Sequence, residues 1–259
     1  MYSLQLKEMY RYRSLIGNLV VRELKARYRG SALGFLWSFL NPLLLMSVYA
    51  LVFSIYFRFG MEDYVVFLMS GLLPWIWFSS SLLEASNSIL VGGNLIKKVL
   101  FPAEVLPLVV VLSNFVNFVL SLPILLIFVF FFERPFSPAM LSLPAVMLVQ
   151  MLLTVGLAFM FAALCVHYRD IQHILANFLT LWFFLTPIIY PMTQIPEKFR
   201  VIVNVNPMAP LALAYQQIFY EGRLPNFMQL SGVAAIAMLT YLLGASVFER
   251  YRGMFAEEV

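Results

Sequence analysis

Charged residues and cysteine are both scarce in this sequence. Asp, Glu, Lys and Arg together form 12% of the 259 residues, against roughly 25% in soluble globular domains. Apolar residues form 62% of the chain, which excludes an ordinary soluble enzyme or binding domain. The single cysteine, Cys165, cannot form a disulfide within the chain, so a disulfide scaffold is excluded as well.

Motifs for ATP binding, catalysis and ion coupling are also missing. The sequence has no G-x-x-x-x-G-K-[ST] phosphate-binding loop. His167 and His173 are six residues apart, a spacing that suits no standard metal pair. The long apolar runs contain no ionisable residue, although broken helices can hold sodium through backbone carbonyls. We therefore expect no catalytic residues, no metal and no cofactor in this chain, and an external energy source for any driven transport.

Six apolar runs are long enough to cross a membrane as helices. A spanning helix needs roughly 20 apolar residues to cross about 30 Å of hydrocarbon. The runs are residues 32–57, 64–83, 105–132, 139–166, 174–195 and 228–248. Several exceed the minimum length, and prolines such as Pro187 in the fifth run predict kinks. The sequence thus predicts an all-α integral membrane protein with six transmembrane helices per subunit.

A seventh uncharged run, residues 201–220, is too polar for a span that faces lipid. It contains Asn206, Pro207, Gln216 and Gln217. Backbone interrupted in this way is stable at membrane depth only against protein or water. We predict a re-entrant or interfacial helix pair between spans five and six, within an extracytoplasmic segment 196–226.

Basic residues in the loops predict the orientation. With six spans, 12 Lys and Arg residues lie on the side of the N-terminus and 5 on the other side. If residues 201–220 are counted as a span, the difference between the two sides falls to 11 against 6. Both termini are therefore expected in the cytoplasm, with residues 1–31 as an interfacial segment, 32–248 as the transmembrane domain and 249–259 as a tail. The first apolar run is too long, and begins too late, for a cleaved signal peptide.

The N-terminal segment has an amphipathic pattern of its own. Apolar residues recur there at steps of three and four, and basic or polar residues occupy the positions between them. The apolar positions are Tyr12, Leu15, Ile16, Leu19, Val20 and Leu24. This pattern predicts a helix lying in the membrane interface, with its basic face toward anionic head groups. The alternative is a solvated basic arm.

Several stretches resemble the permeases of ABC exporters that move polysaccharides. They are RELKARYRGS at 22–31 with LGFLW at 33–37 and Asn41-Pro42, NLIKKVLFP at 94–102 with EVLP at 104–107, YRDI at 168–171, and TPIIYP at 186–191 with Asn206-Pro207. The first group is similar to the entry into the family's first span. The second and third groups are similar to the loops after the second and fourth spans, and the fourth group is similar to the fifth span and the segment beyond it. The resemblance runs from about Arg22 to the end and is nearest to the O-antigen exporter permeases, with teichoic acid and capsule exporters close behind.

The resemblance implies a multi-pass permease of the cytoplasmic (inner) membrane that acts as a homodimer. Two copies of a separate ATPase subunit, with ATP and Mg²⁺ bound there, would drive it. The implied substrate is a polysaccharide on a lipid pyrophosphate carrier, surrounded by membrane lipids, and no nucleic acid is expected. One alternative is an ABC permease for a drug or small lipid. The other is a membrane-embedded enzyme or assembly factor acting on lipid-linked sugars, which an ionisable residue within a span would favour.

Aromatic side chains are the candidates for lining a polymer channel. A sugar polymer presents hydroxyls and flat C–H faces, so its channel needs aromatic faces rather than charge. Aromatic residues form 16% of the chain. The candidates are Tyr49, Trp75, Trp77, Phe78, Trp182 and Tyr190. Interfacial anchoring or packing is the alternative for each of them, and we expect two or three to face the channel.

Two further sets of residues are assigned on the cytoplasmic side. Arginine binds phosphate through a bidentate fork, so Arg22, Lys25, Arg27 and Arg29 are candidates for meeting the lipid pyrophosphate, with ordinary lipid head groups as the alternative.

Residues 84–104 form the longest cytoplasmic link between spans, and we expect this loop to receive force from the ATPase. Its candidate contacts are Leu95, Lys97, Lys98, Leu100, Phe101 and Pro102, and the alternative is a helix lying on the membrane.

Overall fold

The computed structural model describes residues 11–27, 29–31, 33–52, 61–93, 102–134 and 136–255. In these ranges the regular structure is entirely helical, which confirms the all-α prediction for them. The helices are α1 (Arg13–Arg27), α2 (Trp37–Leu51), α3 (Tyr64–Ser86), α4 (Ser88–Val91), α5 (Val105–Phe131), α6 (Leu143–His167), α7 (Ile171–Phe184), α8 (Arg200–Val205), α9 (Met208–Phe219) and α10 (Phe227–Arg252). Short 3₁₀ turns precede α2, α6 and α8.

Four helices of the described residues are long and apolar enough to cross a membrane. They are α3, α5, α6 together with its preceding 3₁₀ turn, and α10. Helix α2 has 15 residues, and positions 53–57 of the predicted first span lie outside the described residues. Helix α7 has 14 residues. The multi-pass membrane character is therefore clear, and the count of six spans stays a prediction.

Helix α3 is the central helix of the bundle. It packs against α5, α6 and α9, and also touches α2 and α7. A buried side chain ties it to α6, where Gln150 Nε2 donates to the carbonyl oxygen of Pro74 at 2.8 Å. Helices α5 and α10 lie at the periphery and expose apolar side chains such as Phe131 and Leu239. These exposed side chains suit contact with lipid hydrocarbon.

Helices α6 and α10 approach each other at two glycines. A Cβ atom added to Gly244 would lie 1.9 Å from the carbonyl oxygen of Gly156. A Cβ atom added to Gly156 would lie 2.6 Å from the Cα of Tyr241. Small residues at helix contacts allow backbones to approach closely inside membranes. The two glycines therefore fix the position of α10 on α6.

The two ends of the bundle carry different polar clusters. At the end where α3 begins, which we call the Arg134 end, Arg134 Nε donates to Asp63 Oδ2 at 2.7 Å. The same guanidinium lies 4.4 Å from the ring centroid of Tyr220. At the opposite end, which we call the Arg252 end, Arg252 Nη1 donates to Glu104 Oε1 at 3.1 Å. Asp63 and Arg134 thus join α3, α5 and α9 at one end, whereas Arg252 joins α10 to the start of α5 at the other.

Helix α1 packs at the Arg252 end of the bundle. Its Ile16 is buried against Val105 and Val109 of α5, with Leu19 beside it. The predicted amphipathic helix is therefore present as a helix, and its apolar face contacts protein. Its position relative to the membrane surface stays a prediction.

The fifth apolar run does not form one continuous helix. Helix α7 ends at Phe184, and residues 185–190 form turns. Proline at position 187 explains the break, because its ring would clash with the carbonyl of Phe183 and it disfavours helical backbone at Thr186. The sequence predicted a kink at Pro187, and the structure shows a complete stop.

Side chains bind the carbonyl oxygens that this break leaves free. Tyr64 Oη donates to the carbonyl of Ile189 at 2.8 Å. Gln216 Nε2 donates to the carbonyl of Pro187 at 2.9 Å, and Tyr190 Oη donates to that of Phe184 at 2.5 Å. Buried carbonyls of an interrupted helix need such partners because water is absent.

Residues 201–220 form a pair of helices that meet at Asn206-Pro207. Helix α8 ends at Val205 and α9 begins at Met208. Asn206, at the junction, contacts the end of α7, whereas Tyr220, after α9, donates from its hydroxyl to the carbonyl of Glu62 at 2.8 Å. Helix α9 has 12 residues, about 18 Å at 1.5 Å per residue, which is shorter than the roughly 30 Å of hydrocarbon.

Candidate functional site

A cavity of about 410 Å³ lies between α2, α3 and α7. We call it the aromatic cleft. Tyr49, Trp75, Phe183 and Phe184 supply its rings, and Ser79, Ser80 and Thr180 supply hydroxyl groups among aliphatic side chains. Among the described residues, none that lines the cleft carries a charge. A surface of rings and hydroxyls offers stacking and weak hydrogen bonds to an uncharged ligand.

The rings of the cleft are held by contacts with one another. Phe183 lies 5.7 Å from Tyr49 and 5.7 Å from Trp75, measured between ring centroids. Trp182 lies edge-on to Phe78 at 5.2 Å and to Trp75 at 6.3 Å. Such tilted and edge-to-face pairs are the favoured geometries of aromatic contacts. The cleft is therefore built by α3 and α7 together.

Two of the six aromatic candidates line this cleft, namely Tyr49 and Trp75. Trp182 is half-buried behind it, and its Nε1 donates to Asn206 Oδ1 at 2.6 Å. Phe78 is fully buried between α3 and α7, where it packs against Trp75 and Trp182. Its role in this subunit is to position the rings around the cleft.

The other two aromatic candidates lie elsewhere. Trp77 points toward α5, where its ring stacks on Phe118 with centroids 5.2 Å apart and planes 16° apart. Tyr190 is half-buried in the turn after α7, where its hydroxyl binds the carbonyl of Phe184. The structure thus separates the six aromatic candidates into cleft-lining, packing and turn-stabilising residues.

Three of the four basic candidates share one surface of α1. Arg22, Lys25 and Arg29 are exposed and line an open groove along that helix together with Asn18 and Val21. Three cations on one exposed face can meet a phosphate or an anionic head group.

The fourth basic candidate, Arg27, points into the bundle instead. Its Nη2 donates to Glu84 Oε2 at 2.5 Å, and its Nη1 donates to Asn114 Oδ1 at 3.0 Å. Asn114 Nδ2 in turn donates to the same Glu84 oxygen at 2.8 Å. These three side chains form a closed hydrogen-bonded triangle that joins α1, α3 and α5. Arg27 is therefore a paired cation that ties α1 to the bundle.

The coupling candidates fall mostly outside the described residues. Leu95, Lys97, Lys98, Leu100 and Phe101 belong to that part of the chain. Pro102 is described and lies half-buried just before α5. The structure describes the residues on both sides of the loop, and Gly92 on one side contacts Leu106 on the other.

The contact between the flanks of this loop is tight. A Cβ atom on Gly92 would lie 2.4 Å from Leu106 Cδ1 and 2.9 Å from the carbonyl oxygen of Ser88. The predicted loop 84–104 also begins later than expected, because Glu84 lies in the last turn of α3 and residues 88–91 form α4. Gly92 and Leu106, on the two sides of the loop, therefore lie against each other.

Sequence reasoning missed two residues that organise the site. Asn206 was noted only as a polar interruption, whereas it binds Trp182, Thr186 and the backbone of α9. Glu84 was placed in a loop, whereas it is the acceptor for Arg27 and Asn114. The signal for both was a polar residue flanking or interrupting an apolar run, which in membranes marks a required partner.

Comparison with known sequences supplies the family. The profile of the family described as ABC-2 type transporter matches residues 14–220. The chain is 45% identical over 255 residues to the O-antigen export system permease protein RfbA of Myxococcus xanthus, covering 98% of both chains. It is 33% identical to the protein of the same description from Klebsiella pneumoniae, covering 98% of this chain and 99% of that one.

A more distant similarity extends to a second kind of polysaccharide transport protein. The polysialic acid transport protein KpsM of Escherichia coli is 21% identical over 233 residues, covering 89% of this chain and 90% of KpsM. The expected resemblance to polysaccharide export permeases is thus confirmed by full-length relatives. The chain belongs to the ABC-2 type transporter family.

Proposed function

We propose that this chain is the permease subunit of an ABC exporter that moves an O-antigen-like, lipid-linked polysaccharide across the cytoplasmic membrane. The observation that carries the proposal is the 45% identity to an O-antigen export permease along 98% of both chains. The aromatic cleft supports it, because its rings and hydroxyls suit sugar and the described part of its lining is uncharged. The chain transports and does not catalyse, and a separate subunit hydrolyses ATP with Mg²⁺.

Export in living cells tests this function. The chain and its ATPase partner would be produced in a strain that makes the polysaccharide but lacks its own permease. We expect polysaccharide at the cell surface, and none when the ATPase carries a variant that cannot hydrolyse ATP. Intracellular accumulation despite both wild-type subunits in the membrane would contradict the proposal.

We also propose a topology of six spans, with both termini in the cytoplasm and the α8–α9 pair re-entrant from the outside. The Arg134 end would then be extracytoplasmic and the Arg252 end cytoplasmic. The positions of Asn206 and Tyr220 support this, because the first contacts the end of α7 and the second contacts the start of α3. A pair that enters and leaves on one side has these contacts, whereas a crossing helix would have its two ends on opposite faces.

A homodimer with two ATPase subunits completes the proposed assembly. In it, the aromatic clefts of two copies would line the path of the polymer. The exposed cations Arg22 and Lys25 of α1, with Arg29 just after it, would meet the lipid pyrophosphate at the cytoplasmic surface, since three exposed cations along one groove favour a multiply charged anion.

Removing rings from the aromatic cleft is expected to slow export. For Trp75→Ala and Tyr49→Ala we expect export rates reduced about tenfold each, because stacking on an aromatic ring contributes roughly 1–3 kcal/mol. Tyr49→Phe keeps the ring and should export normally, which separates stacking from hydroxyl chemistry. Phe159→Leu serves as a control in the apolar packing of α6. Normal export by both alanine variants, at wild-type abundance, would show that the cleft does not line the path.

The loop after α3 is the proposed ATPase contact. Because Gly92 packs on Leu106, a push on the loop between them would reach α3 and α5 directly. For Phe101→Ala, and for Lys97→Glu combined with Lys98→Glu, we expect a permease that inserts normally but retains less ATPase on purification. Lys198→Glu, on the opposite side of the predicted membrane, is the matched control. Full ATPase retention and full export in both loop variants would exclude this loop as the coupling element.

A further inference from the structure

A second cavity lies beside the aromatic cleft, between α2, α3 and α5. It has a volume of about 490 Å³ and shares Ile76 and Ser80 with the cleft. Binding sites for small molecules occupy about 300–1,000 Å³, so this cavity is large enough for a ligand. We call it the polar cavity. Its amide and hydroxyl side chains are Ser31, Asn41, Ser80, Asn114, Asn117 and Ser121.

The polar cavity extends deep into the bundle. On α3 it is lined from Glu84 near the Arg252 end to Leu73, a distance of roughly 16 Å at about 1.5 Å per residue. That is about half of the roughly 30 Å hydrocarbon thickness. Amide and hydroxyl groups at this depth are costly unless they meet protein, water or a polar ligand. Asn114 and Ser121 do meet protein groups, and an amide can form further hydrogen bonds beside these, so the lining can accommodate a polar occupant.

The charged side chains that line the cavity, Arg27 and Glu84, form an ion pair with each other. Arg27 and Glu84 are joined at 2.5 Å, and Asn114 binds both. A phosphate group would have to displace Glu84 from Arg27, which is the one cation among the described residues of the lining. An uncharged group that both donates and accepts hydrogen bonds meets no such competition, because amide side chains offer both functions.

One wall of the cavity is aromatic. Trp37, Trp77 and Phe118 all lie in its lining. Trp37 is partly exposed, whereas Trp77 and Phe118 are buried and stacked on each other. An accessible indole face next to amides and hydroxyls matches a sugar ring, which has flat C–H faces and hydroxyls at its edge. A lipid acyl chain would use the aromatic wall but would make no hydrogen bond with the amide and hydroxyl groups of the lining.

From this lining we infer that the polar cavity binds an uncharged sugar residue of the lipid-linked substrate. The inference rests on the proposed export function and adds to it a second site, distinct from the aromatic cleft. The cleft offers rings and few hydrogen-bonding groups, so it accepts many sugars. The polar cavity presents a fixed set of amides and hydroxyls, so it distinguishes sugars by the positions of their hydroxyls.

Cross-linking from two positions on α2 tests the occupant. The photoreactive amino acid p-benzoylphenylalanine would be placed at Asn41, in the polar cavity, or at Val48, which is exposed on the same helix. Both variants would be irradiated in polymer-producing cells together with the ATPase. We expect a carbohydrate-positive adduct at Asn41 and only phospholipid adducts at Val48. A phospholipid adduct alone at Asn41, or none, would overturn the inference.

A binding measurement gives a second, independent readout. The permease–ATPase complex in nanodiscs would be titrated with lipid-linked polysaccharide extracted from the producing strain, and ATP hydrolysis would be followed. For Asn41→Ala and Asn117→Ala we expect the half-saturating concentration to rise about fivefold, the effect of one hydrogen bond. The control is Asn177→Ala, an exposed amide on α7 outside both cavities. Unchanged half-saturation in both cavity variants would overturn the inference.

The export assay keeps this inference separate from the proposed function. Polysaccharide at the surface with no carbohydrate adduct at Asn41 would contradict the proposed sugar site but not the proposed export function. If no polysaccharide reached the surface with both wild-type subunits present, the proposed export function itself would be contradicted.

Discussion

Replacing Gly244 by leucine is expected to abolish accumulation of folded permease. Even an added Cβ atom would lie 1.9 Å from the carbonyl oxygen of Gly156, whereas ordinary contact begins at 3.4 Å. The obstacle is backbone, so no side-chain rotation relieves it, and α10 must move away from α6. Overpacking of a core costs typically 1–3 kcal/mol, and we place Gly244→Leu at or above the upper limit. Gly244→Ala should lower the melting temperature of the detergent-solubilised protein.

Gly232 is the matched control for this prediction. It lies on the same helix α10, and a Cβ atom there would have no atom within 4 Å. Gly232→Leu should therefore leave abundance, elution volume and melting temperature unchanged. If Gly244→Leu behaved like Gly232→Leu, the close crossing of α6 and α10 would be wrong.

The second large effect is expected at Asn206. Its Oδ1 accepts hydrogen bonds from Trp182 Nε1 at 2.6 Å and from the backbone N–H of Met208 at 2.9 Å. Its Nδ2 donates to Thr186 Oγ1 at 2.9 Å. Leucine at this position has a similar size but leaves these buried groups without partners. Each unsatisfied buried group costs about 1–3 kcal/mol, so we expect Asn206→Leu to destabilise the protein by about 2–4 kcal/mol.

Trp182 provides a local readout for the change at Asn206. Thermal unfolding gives the global effect, and the tryptophan emission spectrum should shift because the indole N–H has lost its acceptor. Asn206→Asp keeps both accepted bonds, so it should retain more of the emission signal than leucine does. Asn177→Leu, at an exposed position of α7, is the control for removing an amide. A wild-type melting temperature for Asn206→Leu would show that the α7–α9 connection does not depend on this side chain.

Much of the helical framework could be predicted from apolar runs alone. The run 105–132 corresponds to α5 and the run 228–248 to α10, with ends within a few residues. The apolar runs predict the wrong helix end where a helix continues past a charged residue. Glu84 and Arg252 lie in the last turns of α3 and α10 because partners on other helices, Arg27 and Glu104, neutralise them. Sequence patterns along one helix do not reveal partners on another.

The site was predicted in part, for a similar reason. Aromatic content identified Tyr49 and Trp75, which do line the cleft. It could not separate them from Phe78, because whether a ring lines a cavity or fills a core depends on neighbouring helices. Phe183 is not among the six candidates, although its ring contacts both Tyr49 and Trp75. Pro187 correctly marked the place where the fifth run bends, and only the tertiary contacts decide that α7 ends there.

The contacts at the end of α7 have a mechanical consequence. Of the 14 residues of this helix, Leu175, Leu179 and Phe183 are buried, and the rest are exposed or partly exposed. Asn206 and Gln216 hold the turn that follows its C-terminal end, whereas a short loop precedes its N-terminal end. Helix α7 is the third wall of the aromatic cleft, so a tilt of this lightly packed helix about the turn would change the width of the cleft.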